Sequence, residues 1–469
     1  MRGSRAATYE MDLLHGPIFS KIMAFVLPLM LTNMLQSLYN AADMIIVGLS
    51  GVEGAIGAIG TTGAMVAMVI NLFAGFAVGA NIMVARAIGE GNREKASDAV
   101  HTSVAVSIIS SLLTMTLGLF ISRPLLAALG DQGHILELAC LYTRIYFLGT
   151  PFIAATNFFI SIFRAKGDTR TPLIVLAGTG ILNVILNLVF VLGFGMSVDG
   201  VSLATLISNL VSMLILGFLL NKDNGFCHFE IRGIRVEKYS LKGIIYNGLP
   251  AGIQGALFSL SNMLIQSSII RINNITCPGG SDVIDGNAAG GSIESFAYVT
   301  ANSVTQAAVT FTSQHYGARS TKRMGKVMAN CYLASFLVCE AVSAIILLSK
   351  SFLIGLYSLT PVAAEVAATR LTVMLSVYLT LGAMDTGSGL VRGMNRSSVS
   401  AIVSLLGSCV LRIIWIYTVV AAHPSLVLVY LSYPISWTIT GLCHFIVAMI
   451  LKNRFVSLAG ESAEAEPAV

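Results

Sequence analysis

Of 469 residues, 55% are hydrophobic and only 11% are charged, less than half the roughly 25% charged content of an ordinary soluble domain. Such a chain cannot close as a water-soluble globule, and its length is filled by about twelve membrane spans of roughly 20 residues joined by short loops. The net charge of +5 is gathered in loops and gives no case for nucleic-acid binding.

In chain order, the opening MRGSRAATYE is a short polar tail, expected over 1–18. The first apolar run is too long for a signal-peptide core and has no small-residue cleavage site, so it reads as a retained helix 1 at 19–48. Further apolar segments bounded by Gly, Pro and charge predict helices at 55–86, 97–121, 135–165, 172–195 and 200–221. A basic stretch at 222–242 separates these from 243–272, 287–316, 327–349, 362–393, 398–421 and 425–451. Helical form is forced, because lipid offers no partner to a backbone amide or to an open sheet edge.

Assigning the loops alternately to two sides puts 22 Lys and Arg on one side and three, Arg123, Arg271 and Lys350, on the other. Only Arg144, Arg370 and Arg412 fall inside helices. This asymmetry predicts an even number of spans with both termini cytoplasmic. The two halves also resemble each other: ARAIGEGNREKA at 85–96 aligns with SQHYGARSTKRM at 313–324, TRI at 143–145 with TRL at 369–371, and FRAKGD at 163–168 with VRGMNR at 391–396. The expected fold is therefore all-α and integral to the membrane. It has twelve transmembrane helices in two six-helix lobes, related by a pseudo-two-fold along the membrane normal. The expected lobes are 19–221 and 243–454, joined by a cytoplasmic linker at 222–242 and followed by a tail at 455–469.

No GxxxxGK[ST] sequence supplies a phosphate-cradling loop, no HExxH is present, and the seven histidines lack metal-ligand spacing. The seven cysteines show no CxxC pair and read as small core residues. An enzyme is not expected, and an ion gradient is the expected energy source.

Polar residues inside the spans carry the functional signal. Helix 1 bears Asn33, Gln36, Asn40 and Asp43 at spacings of three, four and three, all along one helical face. Polar groups at that depth are costly unless they meet a partner or a wet cavity. Asn183 and Asn187 in helix 5 and Thr205 in helix 6 lie at similar depth, and their neutral oxygens beside a carboxylate suit Na⁺ or a titrating Asp. In the second half, Glu294, Tyr298, Asn302 and Gln306 line helix 8, and Asn262 and Gln266 share a face of helix 7. Glu294 reads either as a cavity charge or as the partner of a base such as Arg271 or Arg370. Asp385 in helix 10 is a secondary ion candidate, with a salt bridge to Arg392 as the alternative. Arg144 and Arg370 occupy matching repeat positions, which points to a shared structural role.

These residues resemble the multidrug and toxic compound extrusion (MATE) transporters, especially the branch common in Gram-positive bacteria. The likeness runs from about Gly16 to Arg454. It is carried by LPLMLTNMLQSLYNAADMIIVG, FRAKGDTRTP, NVILNLVFVLGFGMSVDGVSLAT and SIESFAYVTANSVTQA. The resemblance implies a two-lobe exporter in the bacterial cell membrane that exchanges H⁺ or Na⁺ for small organic, often cationic, compounds. It needs no cofactor beyond the coupling ion, its partners are a small-molecule substrate and the lipid bilayer, and it is expected to be monomeric. It also implies an ion site at Asp43, Asn183 and Thr205. Asn187 stands where a second carboxylate is usual, and Phe258 stands near the place of the helix 7 acid of some relatives. The segment at 271–290 looks longer than a short loop, and its Asn-Ile-Thr at Asn274 reads as a chance sequon. Competing readings are a flippase for lipid-linked saccharides, which calls for more basic groups in the cavity, and a sensor or scaffold that moves nothing.

Overall fold

The computed structural model describes residues 9–52, 54–128, 133–357 and 359–464, and among them all regular structure is helical. The first half comprises helix 1 (Ile18–Gly48), helix 2 (Ala55–Gly89), helix 3 (Arg93–Ala128), helix 4 (Gly133–Ala165), helix 5 (Arg170–Leu188, closing in a π turn at Val189–Gly193) and helix 6 (Val198–Asn221). The second comprises helix 7 (Lys238–Thr276), helix 8 (Asp282–Gly317), helix 9 (Thr321–Leu348), helix 10, helix 11 (Ser397–Val420) and helix 12 (Leu426–Glu464). Helix 10 is broken into Pro361–Leu375 and Leu379–Gly393, bent by 53°. Among the described residues nine helices are long and apolar enough to cross a membrane, ten with the bent pair counted as one span. Helix 8 is less apolar than these because its Ser- and Thr-rich faces are covered by protein instead of lipid: Thr300, Ser303, Thr305, Thr310, Thr312 and Ser313 are all buried.

The chain divides into two compact units whose limits differ from the expected lobe boundaries. Unit 1 takes Met1–Asp12 and Leu27–Gly255, and unit 2 takes Leu13–Val26 and Ala256–Val469. Helices 1 and 7 therefore each change unit partway along, close to a proline inside each helix, Pro28 and Pro250. A proline removes one intrahelical hydrogen bond and weakens the helix locally. In unit 2 the start of helix 1 is held by Phe25, whose ring meets Phe311 edge-on at 5.6 Å, and by Arg323, which donates to the Gly16 carbonyl.

In unit 1, helix 4 packs against helices 2, 3 and 6, burying Phe158, Phe159, Ile162 and Phe163. The first half of helix 7 joins this unit through glycines. Gly75 and Gly79 on helix 2 and Gly248 and Gly252 on helix 7 have the small-xxx-small spacing that lets helix backbones touch. A methyl group on Gly75 would fall on the backbone of Gly252, and one on Gly79 on the Ile244 carbonyl. The 222–237 stretch is folded onto the same unit rather than hanging free. Lys166 and Asp223 form a buried ion pair at 2.9 Å, Arg235 pairs with Asp98, and the Glu230 and Glu237 amides donate to His101 Nε2 and Thr102 Oγ1 at 3.2 and 3.0 Å. The Glu237 carboxylate then accepts from the Tyr239 and Ser240 amides, capping the start of helix 7.

In unit 2, helix 8 packs against helix 9 and both arms of helix 10. The break in helix 10 is wedged by Tyr378, fully buried and edge-on to Trp437 at 5.7 Å. The expected long connection at 271–290 is instead mostly helix, because helices 7 and 8 extend through it and leave only 277–281 between them. Asn273 seals this turn, donating to the Gly280 carbonyl at 2.8 Å and accepting from the Val283 amide at 3.1 Å. Helix 12 likewise continues to Glu464, into the expected tail.

The glycine crossing makes a testable demand. Replacing Gly248 by valine should destabilise the protein by about 1–3 kcal/mol, the usual range for overpacking a filled contact. Thermal unfolding in detergent checks this, and an unchanged midpoint would show that the crossing opens freely.

Candidate functional site

In unit 1 the second half of helix 1 is seated on helix 5 by Tyr39. Its ring lies over Gly180, where any side chain would collide with it, and its hydroxyl donates to the Ala177 carbonyl at 3.2 Å. One turn further on, this contact carries Asp43 to helix 5. Asn187 Nδ2 donates to Asp43 Oδ1 at 2.5 Å and to Asn183 Oδ1 at 3.2 Å, and Asn183 Nδ2 donates to Thr205 Oγ1 at 3.4 Å. Thr205 Oγ1 also stands close to the Asp43 carboxylate. Asn187 is fully buried, Asn183 nearly so, and Asp43 half-buried. Asp43, Asn183, Asn187 and Thr205, expected separately on three helices, thus form one cluster.

The cluster is electrostatically unfinished. Among the described residues no lysine or arginine bonds to Asp43, and the buried Asn187 Oδ1 has no hydrogen-bond partner. A carboxylate withdrawn from water without a counter-charge is costly. Such a site gains from a proton on Asp43 or from a cation touching Asp43 and the amide oxygens. The amide of Asn187 suits both states: its NH₂ donates to a carboxylate, and after a flip its carbonyl accepts from a carboxylic acid.

The helix 1 stripe continues from this cluster. Gln36 and Asn40 are exposed and Asn33 half-buried, and this face lies about half a helical turn from the exposed apolar face of Leu27, Leu31, Leu38 and Ile45. Helix 1 therefore presents an apolar edge suited to lipid and a polar edge suited to water.

The second unit departs from expectation at Glu294. It is not a free cavity charge. Arg370 clasps it, Nη2 and Nε donating to Glu294 Oε2 at 2.8 and 3.1 Å. Arg370 Nη1 also donates to Asn287 Oδ1 at 2.6 Å, and Asn287 Nδ2 donates to Gln266 Oε1 at 3.1 Å. The Tyr430 hydroxyl completes the network by donating to Asn287 Oδ1 at 3.3 Å. Gln266 is therefore engaged in protein contacts, while Asn262 and Tyr298 remain exposed. Gln306 Nε2 donates to Asn302 Oδ1 one turn away, and both residues are half-buried. Asp385 is half-buried with Arg392 and Arg412 as its nearby positive charges. The matched arginines do not share a role: Arg370 is bound into this network, whereas Arg144 is exposed.

Sequence reading missed Asn287 and Tyr430, although Asn287 stands seven residues before Glu294 and Tyr430 three before Tyr433, each on its neighbour's helix face. It also missed a serine stripe on helix 11, Ser400, Ser404 and Ser408, although the spacing of four was a visible signal.

With the fold and these clusters described, the comparisons with known proteins identify the class. The MatE family model matches residues 28–189 and 250–418, one match to each half, and the chain belongs to this family of multidrug efflux transporters. It is 25% identical over 400 residues to a probable multidrug resistance protein, NorM, of Thermotoga maritima, covering 83% of each chain. To the probable multidrug resistance protein YoeA of Bacillus subtilis it is 23% identical, over 78% of this chain and 79% of the other. The outward-facing structure of a multidrug resistance MATE family transporter of the MOP superfamily superposes with a TM-score of 0.87 at 23% identity, covering 96% of this chain and 99% of that one. A MOP superfamily transporter from Pyrococcus furiosus, described as having a binding pocket of reversed polarity, gives the same TM-score at 22% identity over 94% of this chain and 98% of the other.

The Glu294–Arg370 pair yields a second prediction. Removing one member leaves an uncompensated buried charge, so Glu294→Ala or Arg370→Ala alone should cost about 3–5 kcal/mol. The double replacement should recover part of that loss, as a double-mutant cycle on unfolding in detergent would measure. Additive losses would show that the two side chains do not act together.

Proposed function

We propose that this chain is a secondary active antiporter of the bacterial cell membrane that exports small organic compounds, amphipathic cations foremost, in exchange for H⁺ or Na⁺. It acts by alternating access as a monomer, performs no chemistry on its cargo, needs no cofactor beyond the coupling ion, and keeps both termini cytoplasmic, as the 22-to-3 division of basic residues supports. The observation that carries this reading is the Asp43 cluster, a carboxylate with amide and hydroxyl partners, no counter-charge, and an adjoining buried oxygen left open. An exchanger needs a group whose occupancy differs between its two access states, since a ligand shifts that equilibrium only through differential affinity. One carboxylate provides one such charge. Because Asn187 is neutral, the cluster offers less negative charge to Na⁺ than a carboxylate pair would, which favours H⁺. The engagement of Arg370 with Glu294 weighs against the flippase reading, since that arginine is committed to a carboxylate and not offered to a pyrophosphate.

The test is transport of a fluorescent amphipathic cation by purified protein in proteoliposomes, with Na⁺ and pH gradients imposed separately. Asp43→Asn should abolish gradient-driven transport while the protein still elutes as a folded species in detergent. Asn187→Asp should strengthen the ion dependence. Wild-type rates from Asp43→Asn under an imposed gradient would remove the cluster from coupling.

A further inference from the structure

A second buried titratable group lies in unit 2, in a place the proposed ion cluster does not use. His444, on helix 12, is fully buried. Its Nε2 faces helix 11, at 3.3 Å from the Ser400 carbonyl oxygen and 3.5 and 3.4 Å from the Ser400 and Ser404 hydroxyls. Ser400 Oγ is in turn 2.7 Å from Ser388 Oγ on helix 10. Ser388 stands three residues after Asp385, a spacing that places both on one helix face.

On the other side of the ring, Nδ1 is buried and has no partner among the described residues. The tautomers do not relieve this. With the proton on Nε2, that nitrogen donates to the Ser400 carbonyl and Nδ1 is an unmet acceptor. With the proton on Nδ1, the serine hydroxyls satisfy Nε2 and Nδ1–H faces only the Thr440 carbonyl one turn back, outside good hydrogen-bond geometry. A second orphan lies close by, because the Tyr332 hydroxyl on helix 9 also lacks a partner. Both groups border Gly387: a Cβ there would meet His444 Cβ at 2.7 Å and Tyr332 Oη at 2.8 Å. The two side chains that carry unmet polar atoms thus both border Gly387, and a water reaching both would relieve them. A histidine held only for packing would have both nitrogens satisfied or be replaced by an apolar residue at lower cost.

We infer that His444 is a proton-accepting station in unit 2, linked by the Ser400 and Ser388 hydroxyls to the helix face of Asp385 and by a buried water to Tyr332. This rests on the reading of the chain as proton-coupled. In the transfer, Ser400 Oγ–H gives its proton to Nε2 of the Nδ1–H tautomer, and Ser400 Oγ takes the Ser388 Oγ–H proton. Ser388 is replenished by the protonated acid on its own helix face, and the Nδ1 proton leaves to the water. Each serine oxygen ends with the proton it began with, and the acid on helix 10 ends as its carboxylate. The imidazole ends as the Nε2–H tautomer and must return to its Nδ1–H form before the next passage, and one proton has moved from helix 10 to the far side of the ring. The groups facing His444 are the Arg392 guanidinium from helix 10, the Tyr332 phenol from helix 9 and the Ser400 and Ser404 hydroxyls from helix 11. Arg392 opposes a lasting positive charge on the ring, which suits passage of a proton more than its storage.

The test uses His444→Gln, which can still donate to the Ser400 carbonyl but cannot carry a proton through, and Ser400→Ala, which cuts the hydroxyl chain and keeps the imidazole. In proteoliposomes, pH-driven uptake of a fluorescent amphipathic cation should fall roughly a hundredfold in both, the low end of what a positioned proton-transfer group contributes. Substrate counterflow at equal pH on both sides, which needs no net proton movement, should persist and so report an intact fold. Independently, the ¹⁵N-histidine spectrum of the full chain in detergent should contain a signal that is lost in His444→Gln and reports the Nδ1–H and Nε2–H tautomers in exchange. Full pH-driven uptake by His444→Gln, or a His444 signal that shows a single fixed tautomer, would overturn the assignment. Wild-type uptake that follows Na⁺ and ignores an imposed pH gradient would overturn the proton-coupled reading itself.

Discussion

Inside a bilayer a polar atom has no solvent to fall back on, so each one in this chain must find its partner within the bundle. Most do so within their own helix. Ser103, Thr143, Ser208 and Thr418 donate to the carbonyl four residues earlier at 2.6–2.8 Å, a local solution that hides a hydroxyl without a second helix. Those that cannot reach back must be met from another helix, and they define the interior architecture. Asp43 draws helices 1, 5 and 6 together through Asn187, Asn183 and Thr205, and Arg370 ties helices 7, 8, 10 and 12 through Asn287, Glu294, Gln266 and Tyr430. The two solutions differ in completeness. In unit 2 the charge of Glu294 is matched by a guanidinium in fixed, directional hydrogen bonds. In unit 1 the charge of Asp43 is met, among the described residues, only by dipoles.

Shape follows a separate rule. Where the backbones of helices 2 and 7 touch, the side chain has been reduced to hydrogen at Gly75, Gly79, Gly248 and Gly252. Association of helices in lipid cannot draw on burial of apolar surface, since the tails are as apolar as leucine. Close approach, and the dispersion contacts it brings, must supply it instead.

How much of this could be read from the sequence varied with the range of the interaction. The spans were legible because hydropathy and the absence of partners in lipid act on each segment alone, and the Asp43 stripe was legible because helical spacing fixes its face. The break at 376–378 was not, for Ser376, Val377 and Tyr378 include neither proline nor glycine, and Trp437, against which the Tyr378 wedge packs, lies on helix 12. Glu294 could not be told from a free charge, since its partner stands 76 residues away and two arginines were available. The 271–290 stretch looked like a loop because four Gly, three Asn, two Asp and a Pro fall within it. Asn273 makes the turn compact by bonding both sides of it, which composition does not reveal.

The exchange of helix segments between the two units bears on how the chain is assembled. Residues 238–255 complete unit 1, yet they are synthesised after all six helices of the first half, and residues 13–26 complete unit 2 although they are made before any of its other segments. The ribosome therefore cannot release a finished first unit before starting the second. Insertion of the spans and their packing into units are separate events, and packing waits on chain more than 250 residues downstream, since Phe25 must wait for Phe311. A nick in the 222–237 stretch would leave each fragment holding a piece of the other's core, so the halves are repeats in sequence without being independent folding units.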